Sequence, residues 1–166
     1  MDIILIRHAE AGDRDAALYP NDDLRPITPE GRKKQTTIAR AMKKMGVAFD
    51  HLFTSPLDRA VQTAEIVAEV YGAGAPVTSD ALGHGCTTQA VLKLLARVPS
   101  DGSVALVGHE PDLSRLAAAF ISKSGDAAIT LKKSGVIGIG FEGAPEAGTG
   151  ALLYHLKPGL LRKLKA

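Results

Sequence analysis

Four aliphatic residues in a row, Ile3-Ile4-Leu5-Ile6, run directly into Arg7-His8-Ala9-Glu10. An unbroken β-branched and leucine run of this length reads as a strand covered on both faces, as strands are in a parallel sheet. In open sheets of that kind, ligands bind beyond the carboxyl ends of the strands. The run therefore predicts more than a strand. It delivers a fixed charge, Arg7, and a titratable imidazole, His8, to the place where a ligand is expected.

The rest of the chain repeats the arrangement. Residues 12–26 are polar and rich in Asp, Asn and Pro, and read as a loop. Thr28-Pro29-Glu30 then starts a helix, with an N-cap threonine, proline at the first helical position and an acid in the first turn. Ile38, Ala41, Met42 and Met45 keep helical spacing, and Gly46 ends it. A short strand at residues 50–54 leads to Ser55-Pro56, and a helix is expected from Asp58 to Tyr71. Val77-Thr78 reads as a brief edge strand, residues 90–95 as a third helix, and Ser103-Val104-Ala105-Leu106-Val107 as a buried strand. A fourth helix is expected over residues 112–121.

This rhythm predicts an α/β three-layer sandwich, a mostly parallel central sheet flanked by helices. The end differs: residues 136–141 and 151–156 flank a Gly- and Pro-rich loop and read as an antiparallel hairpin. Ile129-Thr130-Leu131 reads as one more edge piece. At 166 residues the chain suffices for one domain, expected to span 1–166.

Three buried strands end in turn at Arg7-His8, at Ser55-Pro56-Leu57-Asp58-Arg59 and at Gly108-His109-Glu110. If they are parallel, two histidines and two arginines meet around one crevice. Arginine's planar fork suits phosphate or carboxylate oxygens, and histidine serves as base, donor or nucleophile. Arg59 also falls in the first turn of a helix, where free N–H groups favour an anion. One such histidine alone would be an ordinary satisfied polar group. Together the four imply a bound anion, because uncompensated positive charge in one crevice costs stability.

Leu5-Ile6-Arg7-His8-Ala9, Arg25-Pro26-Ile27-Thr28-Pro29-Glu30-Gly31, Ser55-Pro56-Leu57-Asp58-Arg59-Ala60 and Val107-Gly108-His109-Glu110-Pro111 resemble, in order, the motifs of the histidine phosphatase superfamily. The nearest likeness is to its small SixA-type phosphohistidine phosphatases. The resemblance covers the chain to about Ile121. It implies that His8 is a nucleophile forming a phosphohistidine intermediate, and that Arg7, Arg59 and His109 bind the phosphoryl oxygens. It also implies that no cofactor or metal is required. Attack needs a neutral imidazole, and two adjacent arginines disfavour the cationic form.

One branch of the family places its general acid directly after the second histidine, the position of Glu110. That residue could equally serve the N-terminus of the following helix. Glu10, Asp80 and His84 stand behind it as candidates. The Gly83-His84-Gly85 segment departs from SixA-type members, so the resemblance does not decide whether His84 faces the pocket. Arg25 either lines the mouth or anchors the loop.

Other signals point away from alternative chemistries. Gly138-Ile139-Gly140-Phe141-Glu142-Gly143 fits a dinucleotide fingerprint by letter, but lies in a strand with no βαβ unit after it. His51 and His155 fall within strands and read as structural. A single cysteine, Cys86, allows no intrachain disulfide or cysteine cluster, in keeping with a reducing compartment. The net charge of +2 does not mark a nucleic-acid binder. Basic runs at Arg32-Lys33-Lys34, Lys43-Lys44 and the tail from Leu160 to Lys165 read as wet helix faces, the last on a docking helix. No signal peptide or spanning segment is expected, which makes the cytoplasm the default.

The expected function is a phosphatase acting on phosphohistidine in a protein. Larger family members carry insertions that build lids and sugar-phosphate pockets, for which this chain has little room. The alternatives are a small-molecule phosphomonoesterase, a phosphoglycerate mutase-like enzyme, or a phospho-ligand binding module without turnover. A mutase would need a cap to shield its phosphoenzyme from water.

Overall fold

In the computed structural model, which describes residues 1–164, the two purest aliphatic runs lie side by side at the centre of one sheet. The strands are β1 (Asp2–Arg7), β2 (His51–Thr54), β3 (Val77–Thr78), β4 (Ser103–Gly108), β5 (Val136–Gly140) and β6 (Ala151–Leu156). The helices are α1 (Pro29–Lys44), α2 (Asp58–Tyr71), α3 (Thr88–Leu95), α4 (Asp112–Ile121) and the short α5 (Pro158–Leu161). The sheet order is β3-β2-β4-β1-β5-β6. The first four of these are mutually parallel, and β5 and β6 are antiparallel additions.

Alternate residues of β1 and β4 face opposite layers. Ile3, Leu5, Val104 and Leu106 pack with Val91 and Leu95 of α3 and with Leu113, Leu116 and Phe120 of α4. Ile4, Ile6, Ala105 and Val107 pack on the other side, with Ile38 and Met42 of α1 and Ala60, Ala64 and Val67 of α2. Both faces are apolar because both are covered, which is why the runs do not alternate. The helices that follow β1 and β4 thus lie on opposite faces of adjacent parallel strands. That is a topological switch point, where a crevice opens at the carboxyl ends.

Local chemistry sets the boundaries. The Thr28 side chain accepts from the Gly31 N–H at 2.9 Å to cap α1, and Gly46 leaves that helix at φ +82°. The third helix begins before the expected Ala90, because Thr87 caps it through the Ala90 N–H. Ile129-Thr130-Leu131 is not a strand. The Leu131 N–H donates to Ser114 Oγ and its carbonyl accepts from Arg7, so the residue's backbone is spent on side chains rather than on a ladder. Two glycines of the false fingerprint have packing reasons instead. A Cβ at Gly138 would overlap the Tyr154 ring, and one at Gly140 would crowd Leu153.

Gly31 positions the loop after His8 as well as packing α1. A Cβ there would overlap the Glu10 carbonyl oxygen, which accepts from the Thr28 N–H at 2.9 Å. The loop that carries His8 onward thus rests directly on the first turn of α1. Gly31→Ala is expected to destabilise the fold by about 1–3 kcal/mol, read as a lower urea midpoint. It should also displace the His8–Glu10 loop.

A docking helix is expected to carry the C-terminal basic run; instead α5 ends at Leu161, before the basic residues, and Leu160 and Leu164 are exposed. Leu161 is buried against the α1 layer while Arg162 and Lys163 are exposed; Lys165 lies outside the described residues. No helix among the described residues is long and apolar enough to cross a membrane.

Candidate active site

Strand register brings the two histidines together. Arg7 pairs with Gly108 across the β1–β4 ladder, so the residues that follow, His8 and His109, emerge side by side. Their ring centroids are 5.2 Å apart. Thr54 pairs with Val107, which places Ser55 one step away, and its Oγ lies 2.8 Å from His109 Nε2. Both histidines are buried, and they line a cleft of about 260 Å³ with Arg7, Arg59, Arg25 and Glu110.

The tautomer of His8 follows from its partner. Nδ1 lies 2.7 Å from the Ala9 carbonyl oxygen. A carbonyl only accepts, so Nδ1 carries the proton and Nε2 keeps its lone pair. Burial, and after it the charges of Arg59, Arg7 and Lys133, lowers the His8 pKa to about 3 despite the bond to Ala9. His109 is likewise lowered to about 3, first by burial, then by His8 and Arg59. The arginines act in the expected direction, but burial is the larger cause. His8 is thus a neutral imidazole with its free nitrogen available at neutral pH.

Each of the two arginines is tied to a backbone carbonyl while its Nε stays uncommitted. Arg7 Nη1 donates to the Leu131 carbonyl at 2.8 Å, and Arg59 Nη1 donates to the Asp22 carbonyl at 2.9 Å. Arg7 Nε, Arg59 Nε and His109 Nδ1 are all buried without a partner. Buried polar atoms in proteins are nearly always satisfied, so three orphans on three residues lining one cleft call for a ligand. Five cations and two carboxylates line that cleft, which gives the ligand its sign. Among the described residues no three His, Cys, Asp or Glu side chains gather as metal ligands would.

Asp22 organises the guanidinium groups, and nothing in the sequence singled it out. Its carboxylate accepts from Arg25 Nε at 2.7 Å and lies 3.4 Å from Arg59 Nη2. Hydrogen bonding to Arg25, with the charges of Arg25 and Arg59, holds its pKa below the usual carboxylate range. Arg25 is buried and also donates to the Gly12 carbonyl at 2.6 Å, so it anchors the loop and lines the cleft at once. An acidic pair, Asp22-Asp23, inside a loop leading to an arginine was the signal available.

Glu110 lines the cleft too, but its oxygens accept from the Ser114 N–H at 3.1 Å and from Ser114 Oγ at 2.7 Å. His84 is exposed; its Nε2 lies 2.7 Å from Asp23 Oδ1, and its ring stacks on His109 at 6.5 Å. It is not among the groups that line the cleft. Of the remaining candidates, Glu10 is paired with Lys34 at 2.8 Å.

An uncharacterized protein of Picosynechococcus sp. is 36% identical over 141 residues, 84% of each chain. The family model of the histidine phosphatase superfamily (branch 1) matches residues 3–82. The chain belongs to the histidine phosphatase superfamily. Its fold matches that of the protein histidine phosphatase SixA complexed with tungstate, with a TM-score of 0.82 at 22% identity over 97% of this chain and 99% of the other. It also matches a putative alpha-ribazole-5'-P phosphatase from Escherichia coli str. K-12, with a TM-score of 0.68 at 20% identity over 95% and 98%.

In this superfamily member the depressed imidazoles tie stability to pH. The unfolded histidines take up protons near pH 6.5, whereas the folded ones do so only near pH 3. Their neutral burial therefore costs nothing above about pH 6.5 and increasingly opposes folding as pH falls toward 3. The urea midpoint is expected to drop between about pH 7 and pH 4.5, and to drop less in His109→Gln. An equal slope in the variant would contradict this assignment.

Proposed function

We propose that the protein hydrolyses phosphohistidine on a partner protein through a phosphorylated His8. The observation that carries the reading is the His8 Nδ1 bond to the Ala9 carbonyl, 2.7 Å long. It leaves the Nε2 lone pair of a neutral, buried imidazole in a cleft whose other walls are cationic.

Nε2 attacks phosphorus as the bond from phosphorus to the substrate's imidazole nitrogen breaks, and that nitrogen takes up a proton. Water then attacks the phosphorus on His8, loses its proton, and releases phosphate with Nε2 free again. The spare nitrogens of Arg7, Arg59 and His109 hold the equatorial oxygens through both steps, where preorganised donors act most strongly. Ser55 supports the third donor. Its Oγ accepts from the Leu57 N–H at 3.3 Å, which leaves its own proton free to donate to His109 Nε2. Nδ1 of His109 then carries a hydrogen without the ring being charged.

Glu110 is the proton carrier of this scheme, yet it is engaged with Ser114. An imidazole leaves phosphorus more readily than an alkoxide and needs less help, which favours phosphohistidine over alkyl esters. Glu110→Gln preserves an oxygen acceptor for Ser114 but cannot deliver a proton. It is expected to lower alkyl phosphate turnover by roughly 10²–10⁴-fold and phosphohistidine turnover by only a few-fold. The likeness to SixA, named as a protein histidine phosphatase, supports this reading. The likeness to the alpha-ribazole-5'-P phosphatase supports a small-molecule phosphomonoesterase instead. A turnover panel of phosphohistidine proteins, 3-phosphoglycerate and simple esters, with His8→Ala as control, separates the two. A higher kcat/KM for the small esters would reject the protein substrate.

A further inference from the structure

The phosphate cleft does not end at Lys133. That side chain also lines a second recess of about 120 Å³, walled by Glu10, Lys34, Ile38, Pro158 and Arg162. Lys34 is committed there to Glu10 at 2.8 Å and approaches Glu30 at 3.7 Å. Lys133 and Arg162 are exposed, and among the described residues neither has a carboxylate within ion-pair distance.

The recess is built on fixed supports. Ser134, beside Lys133, is the one non-glycine residue among those described with positive φ, at 61°. Its N–H reaches the carbonyls of Arg7 at 3.1 Å and His8 at 3.2 Å, and the turn closes with Gly135 N–H on the Lys132 carbonyl at 2.7 Å. A non-glycine residue held in the left-handed region marks a backbone that its surroundings over-determine. Here the surroundings are the backbone of the Arg7-His8 pair itself, so Lys133 is in register with the nucleophile. On the far wall Leu161 is buried in the α1 layer and fixes the position from which Arg162 projects.

Resting on the phosphohistidine reading, we propose that this recess takes an acidic side chain of the substrate protein, close to its phosphorylated histidine. Two unpaired cations, one of them a guanidinium fork, suit a carboxylate. The apolar walls of Ile38 and Pro158 suit the short aliphatic stem that carries it. Such contacts at a rim confer selectivity more than bulk affinity.

The test compares phosphohistidine peptides that differ only by Glu or Gln at positions within four residues of the phosphohistidine. The quantity read is the ratio of kcat/KM for the two peptides, in wild type, Lys133→Gln and Arg162→Gln, with melting temperatures checking that each variant folds. The wild type is expected to favour the Glu peptide by about ten-fold, less at high salt. The ratio should fall to about one in Arg162→Gln and decrease in Lys133→Gln. A wild-type ratio of one, or a ratio unchanged in both variants, overturns the proposal. Preference for 3-phosphoglycerate over glycerol 3-phosphate, without preference between the peptides, overturns it in favour of a small-molecule carboxylate. If the wild type turns over none of these compounds, the phosphatase reading fails. Calorimetric affinities of the same two peptides then decide the recess, which stands if the Glu preference is lost in Arg162→Gln and falls if it is not.

Discussion

His8→Ala is expected to lower kcat/KM for every phosphorylated substrate by roughly 10⁴–10⁶-fold, the scale on which removal of a covalent nucleophile acts. The loss should fall on kcat, because Arg7, Arg59 and His109, the proposed phosphoryl donors, remain. Affinity for inorganic phosphate should change by less than about ten-fold. The fold should survive: the variant frees the Ala9 carbonyl from its bond to Nδ1, which costs on the order of 1 kcal/mol. It also removes an imidazole that is buried neutral, so it should resist acid better than the wild type. Steady-state kinetics, phosphate titration and urea unfolding at two pH values check each part. Turnover within ten-fold of the wild type would mean that the phosphoryl group does not pass through this residue.

The second large effect belongs to Arg59. Arg59→Ala should lower kcat by about 10²–10³-fold, as loss of one oxyanion donor does in comparable sites. This arginine does two things at once. It keeps a buried Nε without a partner, the proposed phosphoryl donor, and its two Nη atoms hold the turn at Asp22–Leu24 through the Asp22 carbonyl and carboxylate. Lysine has one point charge and cannot do both, so Arg59→Lys should recover less than ten-fold of the loss. Asp22→Asn separates the roles. It keeps the ligand-facing Nε and the carbonyl contact but weakens the carboxylate contacts to Arg25 and Arg59, and should raise KM more than it lowers kcat. If Arg59→Lys were as active as the wild type, the planar fork would have no part in binding.

The sequence made legible those parts of the site that depend on local pattern. A strand buried on both faces declares itself by the absence of alternation, and the motifs after β1, β2 and β4 are read directly at their carboxyl ends. Register then did the rest, since Arg7 opposite Gly108 forces the two imidazoles together. The supports were not legible, because they bridge residues remote in sequence. Ser55 meets His109 across 54 positions, and Asp22 meets Arg59 across 37. The misread piece, Ile129-Thr130-Leu131, shows the same limit from the other side. Its composition is that of a strand, but its polar groups are claimed by Ser114 and Arg7. The basic run Arg32-Lys33-Lys34 carries both kinds of information. Lys34 reads as an exposed helix residue, and only the fold shows it bound to Glu10 at the edge of the second recess.

A crystal structure with orthovanadate would show whether His8 takes the phosphoryl group, because vanadium takes the five-coordinate geometry of phosphoryl transfer. Vanadium is expected to be bonded to His8 Nε2 at an apical position, with Arg7, Arg59 and His109 donating to the equatorial oxygens. Vanadate bound elsewhere, or bound here with Nε2 turned away and the His109 Nδ1 still without a partner, would contradict it.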